Sequence, residues 1–138
     1  GEDRRLRFAN KMRNKGYSFA SVVHISAIIG EGVNLEEGVQ VMAGTVIQNN
    51  VSIGVDTIIN TGALIDHDCK IGSGCHIAPG TVFSGGVIVK NGVHFGTGTK
   101  VIQNISIGKD SIIAAGSIIF RDVAAHEKII QKLNDKDL

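Results

Sequence analysis

The sequence has few of the residues that build a large hydrophobic core, with no tryptophan, one tyrosine and one proline among 138 residues. It also lacks any apolar run near the ~18 residues of a membrane-spanning helix, and no signal peptide is visible. A formal net charge of +1 gives no electrostatic case for a nucleic-acid or anionic membrane partner. These absences favour a single cytoplasmic domain without a membrane span.

Cysteine is scarce as well, and the spacing of the two cysteines excludes the common metal-binding motifs. Cys69 and Cys75 form neither a Cys-x-x-Cys pair nor a Cys/His zinc pattern. The histidines include no closely spaced His-x4-His pair that would suit zinc. We therefore expect no metal.

Glycine, in contrast, is abundant, with 18 residues, and many of them recur within a six-residue sequence repeat. Stepping by six from Val23 to Ile119, seventeen consecutive positions hold Val, Ile, Leu or Phe. Four residues after each comes a second series of small or β-branched residues, from Ala27 to Val123. This hexapeptide repeat is typical of the left-handed parallel β-helix, in which three hexads make one triangular coil. The sequence predicts an all-β fold of about five coils, with residues eighteen apart as vertical neighbours.

Two short segments flank the repeat. Residues 1–22 form the N-terminal segment. A helix is predicted over 3–15, with Asp3 as the N-cap and Gly16 as the stop, and a strand over 17–24 then leads into the first coil. The β-helix domain covers residues 23–123. Residues 124–138 form a C-terminal tail, with a helix predicted over 124–133 as a cap on the last coil.

The eighteen-residue period also predicts which histidines have neighbours. His76 and His94 should stack along one edge. His67 should have Gly85 as its vertical neighbour, which puts an exposed N–H about 5 Å from an imidazole, a plausible oxyanion donor for acyl transfer. The alternative interpretations are a solvated turn residue for His67 and a surface corner residue for His94.

Residues 60–80 contain NTGALIDHDCKIG and then HIAPG. This segment resembles the active-site segment of the bacterial nucleotide-sugar acyltransferases, a hexapeptide-repeat family that includes UDP-4-amino-sugar N-acetyltransferases and sialic acid O-acetyltransferases. Residues 1–27 resemble the family's junction between its N-terminal sugar-nucleotide domain and its β-helix. The resemblance implies a homotrimer that transfers an acetyl group from acetyl-CoA, bound between subunits, to a nucleotide-linked amino sugar.

The resemblance also implies roles for single residues. The histidine that matches His67 is the family's general base, the acid that matches Asp68 raises its basicity, and the histidine that matches His76 contacts acetyl-CoA. Asn60 belongs to the same motif and is a candidate for positioning the acceptor. Asp66 remains an alternative to Asp68 as the partner of the His67 ring.

Other positions complete the expected acetyl-CoA site. Gly85 would lie at the thioester, and the column Pro79, Thr97 and Ala115 offers a low wall along which pantetheine or adenine can pass. Both cysteines fall in the small-residue series, so direct transfer is favoured over an acyl-cysteine intermediate.

Three departures from the family limit what the resemblance implies. The strand and glycine-rich loop that hold the uridine diphosphate do not occur in this sequence, so we expect it to bind acetyl-CoA but to bind a UDP-amino-sugar poorly. Ile25 replaces a proline of the family's HPSA turn, and the closing Asn-Pro-Ala segment is missing. N- or O-acetyl transfer, the acyl length, and a non-catalytic assembly module remain open alternatives.

Overall fold

The computed structural model describes residues 3–130, which form one helix and eighteen two-residue strands. The helix, α1, is Arg4–Asn14. The strands are β1 Val22–Val23, β2 Ile28–Ile29, β3 Asn34–Leu35, β4 Gln40–Val41, β5 Val46–Ile47, β6 Ser52–Ile53, β7 Ile58–Ile59, β8 Leu64–Ile65, β9 Lys70–Ile71, β10 His76–Ile77, β11 Val82–Phe83, β12 Ile88–Val89, β13 His94–Phe95, β14 Lys100–Val101, β15 Ser106–Ile107, β16 Ile112–Ile113, β17 Ile118–Ile119 and β18 Lys128–Ile129.

Successive strands belong to three different parallel sheets, so that each group of three makes one triangular coil. Sheet A has the order β1-β4-β7-β10-β13-β16-β18, sheet B has β2-β5-β8-β11-β14-β17, and sheet C has β3-β6-β9-β12-β15. Partners are eighteen residues apart from β1 to β17, as in the pairing of Val82 with Lys100. The predicted left-handed parallel β-helix is confirmed, but the predicted count of about five coils is too low: eighteen strands at three a coil make about six, because β18 continues the stack beyond residue 123.

The second residue of each strand points into the prism and forms its core. From Val41 to Ile119 these inward side chains are at most 4% exposed. Val23 and Ile29 are 45% and 39% exposed, because they belong to the first coil, which is covered on one side only within residues 3–130. The hexad rhythm thus predicts the core residue by residue.

The turns require a left-handed backbone at one fixed position in each hexad. At fifteen successive positions of the described chain, stepping by six from Gly32 to Gly116, φ lies between +56° and +72°. Glycine fills ten of these positions and Asn or Asp the other five, because other side chains are strained there. Asp68 is one of the five, with φ +60°.

Three columns of corners join the sheets, and they are named here by the sheets that they connect. Residues 60–62 and 78–80 belong to the A–B corner, 66–68 and 84–86 to the B–C corner, and 72–74 and 90–92 to the C–A corner.

The predicted helix is confirmed, with Asp3 as its N-cap. Arg13 holds α1 against the C–A corner through bonds of 2.6 and 2.8 Å to the buried Asp56 carboxylate. No helix in residues 3–130 is long and apolar enough to cross a bilayer.

The predicted C-terminal helix over 124–133 is wrong for residues 124–130. These residues form a turn and β18, which adds to sheet A by pairing Ile113 with Ile129, sixteen residues later. The isolated bridge between Ile107 and Val123 has the same spacing, so the last coil is two residues shorter than the others. Residues 131–133 lie outside the described part of the chain. The strand predicted over 17–24 shrinks to Val22–Val23.

The outer faces of the three sheets differ in polarity. Sheet B presents mainly apolar side chains to the outside, and these are Ile28, Val46, Leu64, Val82 and Ile118, with Lys100 the exception. Sheet A is mixed, with Val22, Ile58 and Ile112 beside Gln40, His76, His94 and Lys128, and sheet C presents Asn34, Ser52, Lys70, Ile88 and Ser106.

Candidate active site

His67 lies on the B–C corner directly after β8, and two acids organise its surroundings. Its Nδ1 is 2.8 Å from Asp68 Oδ2, and its backbone N–H donates to Asp66 Oδ1 at 2.7 Å. Because the carboxylate only accepts, the Nδ1 proton is held by Asp68 and the Nε2 lone pair remains available. The structure therefore makes Asp68 the partner of the ring, while Asp66 fixes the backbone.

The acids shift the titration of His67 toward greater basicity. The hydrogen bond to Asp68 raises the pKa of His67 above its ordinary value, and the charge of Asp66 raises it further. Burial acts in the opposite direction but weakly, since the side chain is 61% exposed. A more basic, accessible imidazole with a free Nε2 suits a general base.

Gly85 lies against the His67 ring, as the eighteen-residue period predicts. A Cβ placed on Gly85 would be 2.6 Å from His67 Cε1 and 2.7 Å from Nε2, so a larger residue would displace the ring. Within residues 3–130 the Gly85 N–H has no acceptor, although comparable corner N–H groups of Glu31 and Ser73 donate to asparagine side chains. The His67 imidazole and a residue whose backbone N–H has no acceptor in the described chain therefore lie against each other.

His76 opens β10 on the outer face of sheet A, partly buried. Its ring lies 4.8 Å, centroid to centroid, from that of His94, at an interplanar angle of 58°. The predicted stacking of these two histidines is confirmed, since His76 pairs with His94 in the sheet register. Burial lowers the pKa of His76, and the neighbouring His94 and Arg5 lower it further. His76 is thus kept neutral, in contrast to His67.

Asn60 ends up beside His76 and not beside His67. Its Nδ2 lies 3.2 Å from His76 Nε2, and its Oδ1 accepts the backbone N–H of Thr61 at 2.8 Å. The sequence motif placed Asn60 in the site but did not reveal this contact. The contact could have been found from the sheet register, which pairs Ile58 with His76. Asn60 follows Ile58 by two residues, so its side chain can reach the His76 ring.

A groove of about 780 Å³ runs between the first turn of α1 and the outer face of sheet A. Its walls include Arg5 and Leu6 of α1 and His76, His94 and Ile112 of the sheet. This groove was not predicted from the sequence, because the helix predicted over 3–15 was interpreted only as part of the junction with an N-terminal domain. The groove is mixed in character, with imidazole and guanidinium groups among aliphatic side chains.

The two histidine centres lie on different sides of the prism. His67 is on the B–C corner, which is opposite sheet A in a triangular cross-section, and His76 is on sheet A. The column Pro79, Thr97 and Ala115 stacks as predicted, on the A–B corner, through the Gly98 and Gly116 N–H groups. One chain therefore does not bring the predicted residues together into a single pocket.

The cysteines occupy the small-residue series and are buried. Their thiols point to carbonyl oxygens fifteen residues later, Cys69 to Ser84 at 3.3 Å and Cys75 to Lys90 at 3.2 Å. The Thr57 hydroxyl makes the equivalent bond to Gly72 at 2.7 Å. Burial raises the pKa of both thiols to about 11, so neither is a nucleophile near neutral pH.

Among residues 3–130 no group of three or more His, Cys, Asp or Glu side chains is arranged to hold a metal ion.

No protein-family model matches the chain, and no curated protein sequence matches it. Solved structures do match. A histidine-to-asparagine variant of perosamine N-acetyltransferase from Caulobacter crescentus, in complex with CoA and GDP-perosamine, is 40% identical with a TM-score of 0.88. The alignment covers 90% of this chain and 59% of that one.

Two further structures share the fold. The acetyltransferase domain of PglB from Neisseria gonorrhoeae, in complex with acetyl coenzyme A, is 27% identical with a TM-score of 0.87, over 90% of this chain and 60% of that one. WeeI from Acinetobacter baumannii, at 24% identity and TM-score 0.86 over 90% of this chain and 61% of that one, shows the fold alone. The chain spans about 60% of the length of these relatives. The predicted resemblance is confirmed: in fold and in sequence, the chain is similar to hexapeptide-repeat acetyltransferases, among them the perosamine N-acetyltransferase solved with GDP-perosamine.

Proposed function

We propose that this chain supplies the catalytic β-helix of an enzyme that transfers an acetyl group from acetyl-CoA to the amine of a nucleotide-linked amino sugar. The observation that carries the proposal is the His67 imidazole, with Asp68 on Nδ1 and a free Nε2 beside the Gly85 N–H. The perosamine N-acetyltransferase supports it, because its structure contains both CoA and GDP-perosamine.

The proposed reaction follows from this geometry. The sugar amine attacks the thioester carbonyl carbon while His67 Nε2 removes a proton from the nitrogen. The negative charge that develops on the carbonyl oxygen is stabilised by the Gly85 N–H. Collapse of the tetrahedral intermediate forms the amide and breaks the C–S bond, and the proton held by His67 passes to the departing CoA thiolate. Asp68 stabilises the imidazolium between these steps.

We propose a homotrimer in which sheet A of one copy faces sheet B of the next. The apolar outer face of sheet B and the apolar residues Val22, Ile58 and Ile112 of sheet A support this arrangement. A head-to-tail contact whose rotation closes after three copies forms such a ring. The B–C corner that carries His67 would then lie beside the partner copy's groove, where His76 and His94 line the wall. Two copies would complete a site that one copy leaves divided.

In that site, acetyl-CoA would lie along the groove, with its thioester at His67 and Gly85 and its pantetheine arm at His76. Thr97 and Ala115 remain the predicted wall for the distal end of the cofactor. The proposed use of acetyl-CoA also supports a cytoplasmic location, since acetyl-CoA and sugar nucleotides are metabolites of the cytoplasm.

Acetyl transfer tests the proposed reaction directly. Purified chain is incubated with acetyl-CoA and GDP-perosamine, and free CoA thiol and the acetylated sugar are measured by absorbance and mass spectrometry. Calorimetry with acetyl-CoA alone separates an enzyme from an assembly module, because a module has no reason to bind this cosubstrate. We expect acetyl-CoA binding and thiol release that depends on His67. The absence of both, with folded protein, would exclude the proposed function.

The oligomer needs its own measurement, with a matched pair of variants. Leu64→Glu places a charge on the apolar outer face of sheet B, where the side chain is 43% exposed. Asn34→Glu places the same charge on the polar face of sheet C. We expect light scattering to give a trimer mass for the wild type and Asn34→Glu, and a smaller mass for Leu64→Glu. A monomeric wild type at micromolar concentration would contradict the shared site.

A further inference from the structure

Asn60 and His76 form a side-chain pair at the edge of the groove, and the hydrogen-bond roles in this pair are determined. The Thr61 N–H can only donate, and it lies 2.8 Å from Asn60 Oδ1, so the amide oxygen faces Thr61. The Thr61 hydroxyl, 3.3 Å from the same oxygen, adds a second donor. The amide nitrogen must therefore face His76.

This orientation decides which nitrogen of His76 carries the proton. An amide nitrogen donates and does not accept, so His76 Nε2, at 3.2 Å from Asn60 Nδ2, must be the unprotonated nitrogen. The neutral ring then carries its proton on Nδ1. Within residues 3–130, Nδ1 of His76 has no hydrogen-bond acceptor, so this N–H is available to a ligand.

We propose that Asn60 is a positioning residue that holds His76 as the neutral Nδ1–H tautomer, so that His76 presents a hydrogen-bond donor to a carbonyl oxygen of acetyl-CoA. The inference rests on the proposed function for the identity of the ligand, and on the Asn60 contacts for the tautomer. It assigns Asn60 to the acetyl-CoA side of the site, whereas the sequence motif suggested a role in positioning the acceptor.

The surroundings of His76 favour the neutral ring that this role requires. His94 faces it from β13, Arg5 faces it from α1 and Asp3 from the N-cap of that helix, and Asp110 lies further along the same groove. Two of these groups are basic and close, and the ring is partly buried, so a second proton on His76 is disfavoured. A donor without positive charge suits an uncharged carbonyl oxygen.

The tautomer is measured by long-range ¹H–¹⁵N correlation spectra of the histidine rings in ¹⁵N-labelled protein near pH 7.5, with His76→Gln to assign the signals. The wild type should show a protonated Nδ1 and an unprotonated Nε2. Asn60→Ala should shift His76 toward the Nε2–H tautomer. Asn60→Asp should raise the pKa of His76, because a carboxylate beside Nε2 stabilises the imidazolium.

Asn91→Ala is the matched control. The Asn91 amide accepts the Ser73 N–H at 2.9 Å on a neighbouring corner and does not contact His76. This variant loses a comparable corner bond, so it should leave the His76 signals unchanged. An unchanged His76 tautomer in Asn60→Ala would overturn the proposal, and so would an equal shift in Asn91→Ala.

Calorimetry with acetyl-CoA connects the tautomer to function. We expect Asn60→Ala to weaken acetyl-CoA binding about fivefold, the effect of losing one ordinary hydrogen bond, and Asn91→Ala to bind like the wild type. Unaltered acetyl-CoA binding in Asn60→Ala would overturn the role toward the ligand. If the wild type bound no acetyl-CoA, the proposed function would fail, whereas the spectra would still decide whether Asn60 controls the ring.

Discussion

The His67 imidazole covers the Cα of Gly85, so that a Cβ at Gly85 would lie 2.6 Å from Cε1 of the ring. Gly85 is not among the glycines with positive φ, and the nearest atoms that a Cβ would meet belong to the His67 side chain and not to the backbone. We predict that Gly85→Ala folds with nearly the wild-type melting temperature but displaces the base, lowering acetyl transfer at least about tenfold. Thermal melting and a thiol-release assay measure the two effects.

Gly96→Ala is a contrasting control. A Cβ at Gly96 would meet the backbone of Ala115 in the next coil, which cannot move without disturbing the stack. This variant should melt several degrees lower than Gly85→Ala. Full activity in Gly85→Ala would show that the approach of His67 to Gly85 has no part in the reaction.

The three polar residues of the proposed site should differ in what their replacement changes. His67→Ala should lower turnover by about 10²–10⁴ with little change in acetyl-CoA affinity, because a base acts on the transition state. Asp68→Asn should lower turnover less, since it weakens the base without removing it. His76→Ala should mainly weaken acetyl-CoA binding. Steady-state kinetics and calorimetry separate these effects. Wild-type turnover in His67→Ala would reduce this histidine to a turn residue.

The pH profile should follow the acids around His67. A base works in its neutral form, so kcat/KM falls as the pH drops below the pKa of His67. Asp68 raises that pKa most and Asp66 next, so both move the acid limb to higher pH in the wild type. Asp68→Asn should therefore move the limb to lower pH, and Asp66→Asn should move it less. A limb that does not move in Asp68→Asn would mean that another group titrates.

A site shared by two copies should show complementation between two impaired variants, measured at an acetyl-CoA concentration too low to saturate His76→Ala. Homotrimers of His67→Ala and of His76→Ala each lack one residue in every site. Mixed trimers, prepared by unfolding and refolding the two together, should regain about a quarter of their sites, those that combine His67 from one copy with His76 from its neighbour. The same variants refolded separately and then mixed provide the control. Activity that never exceeds this control would place both histidines in one subunit's site or outside the site.

The thiols should be inert in the folded protein. Burial raises the pKa of Cys69 and Cys75 to about 11, so only a small fraction is thiolate at pH 8. We predict no labelling by iodoacetamide at pH 8 until denaturant unfolds the chain, as followed by intact mass. Double replacement by Thr, which fills the same corner series elsewhere, should preserve acetyl transfer. Its loss would reopen an acyl-cysteine intermediate.

Much of the fold was predictable because each hexad contains the residue types that its position in the coil requires. A large aliphatic residue fills the prism, a small residue fits the corner, and Gly, Asn or Asp permits the left-handed turn. The same period predicted that His67 would meet Gly85 and that His76 would meet His94. Vertical neighbours are set by the backbone register alone, so counting by eighteen finds them.

Contacts that depend on side-chain direction were not predictable in this way. Asn60 reaches His76 across sixteen residues, because its amide turns back from the corner toward the strand. The choice of Asp68 over Asp66 depends on side-chain direction, because the Asp66 carboxylate turns to the His67 N–H while Asp68 reaches Nδ1. The groove depends on how Arg13 docks α1. The helix predicted over 124–133 rested on the helical spacing of Ile129, Ile130 and Leu133, and it is wrong for residues 124–130 because Ile129 instead pairs in a strand of sheet A.

The last coil within residues 3–130 has two residues fewer between Ile119 and Val123 than a regular hexad corner. Coils of equal perimeter stack in register, because each edge is a template for the next coil. This coil pairs at sixteen residues and not eighteen, so its perimeter is smaller than that of the coil on which it packs. A β-helix can thus taper and still continue a sheet, since Ile129 pairs with Ile113 in the parallel register of sheet A.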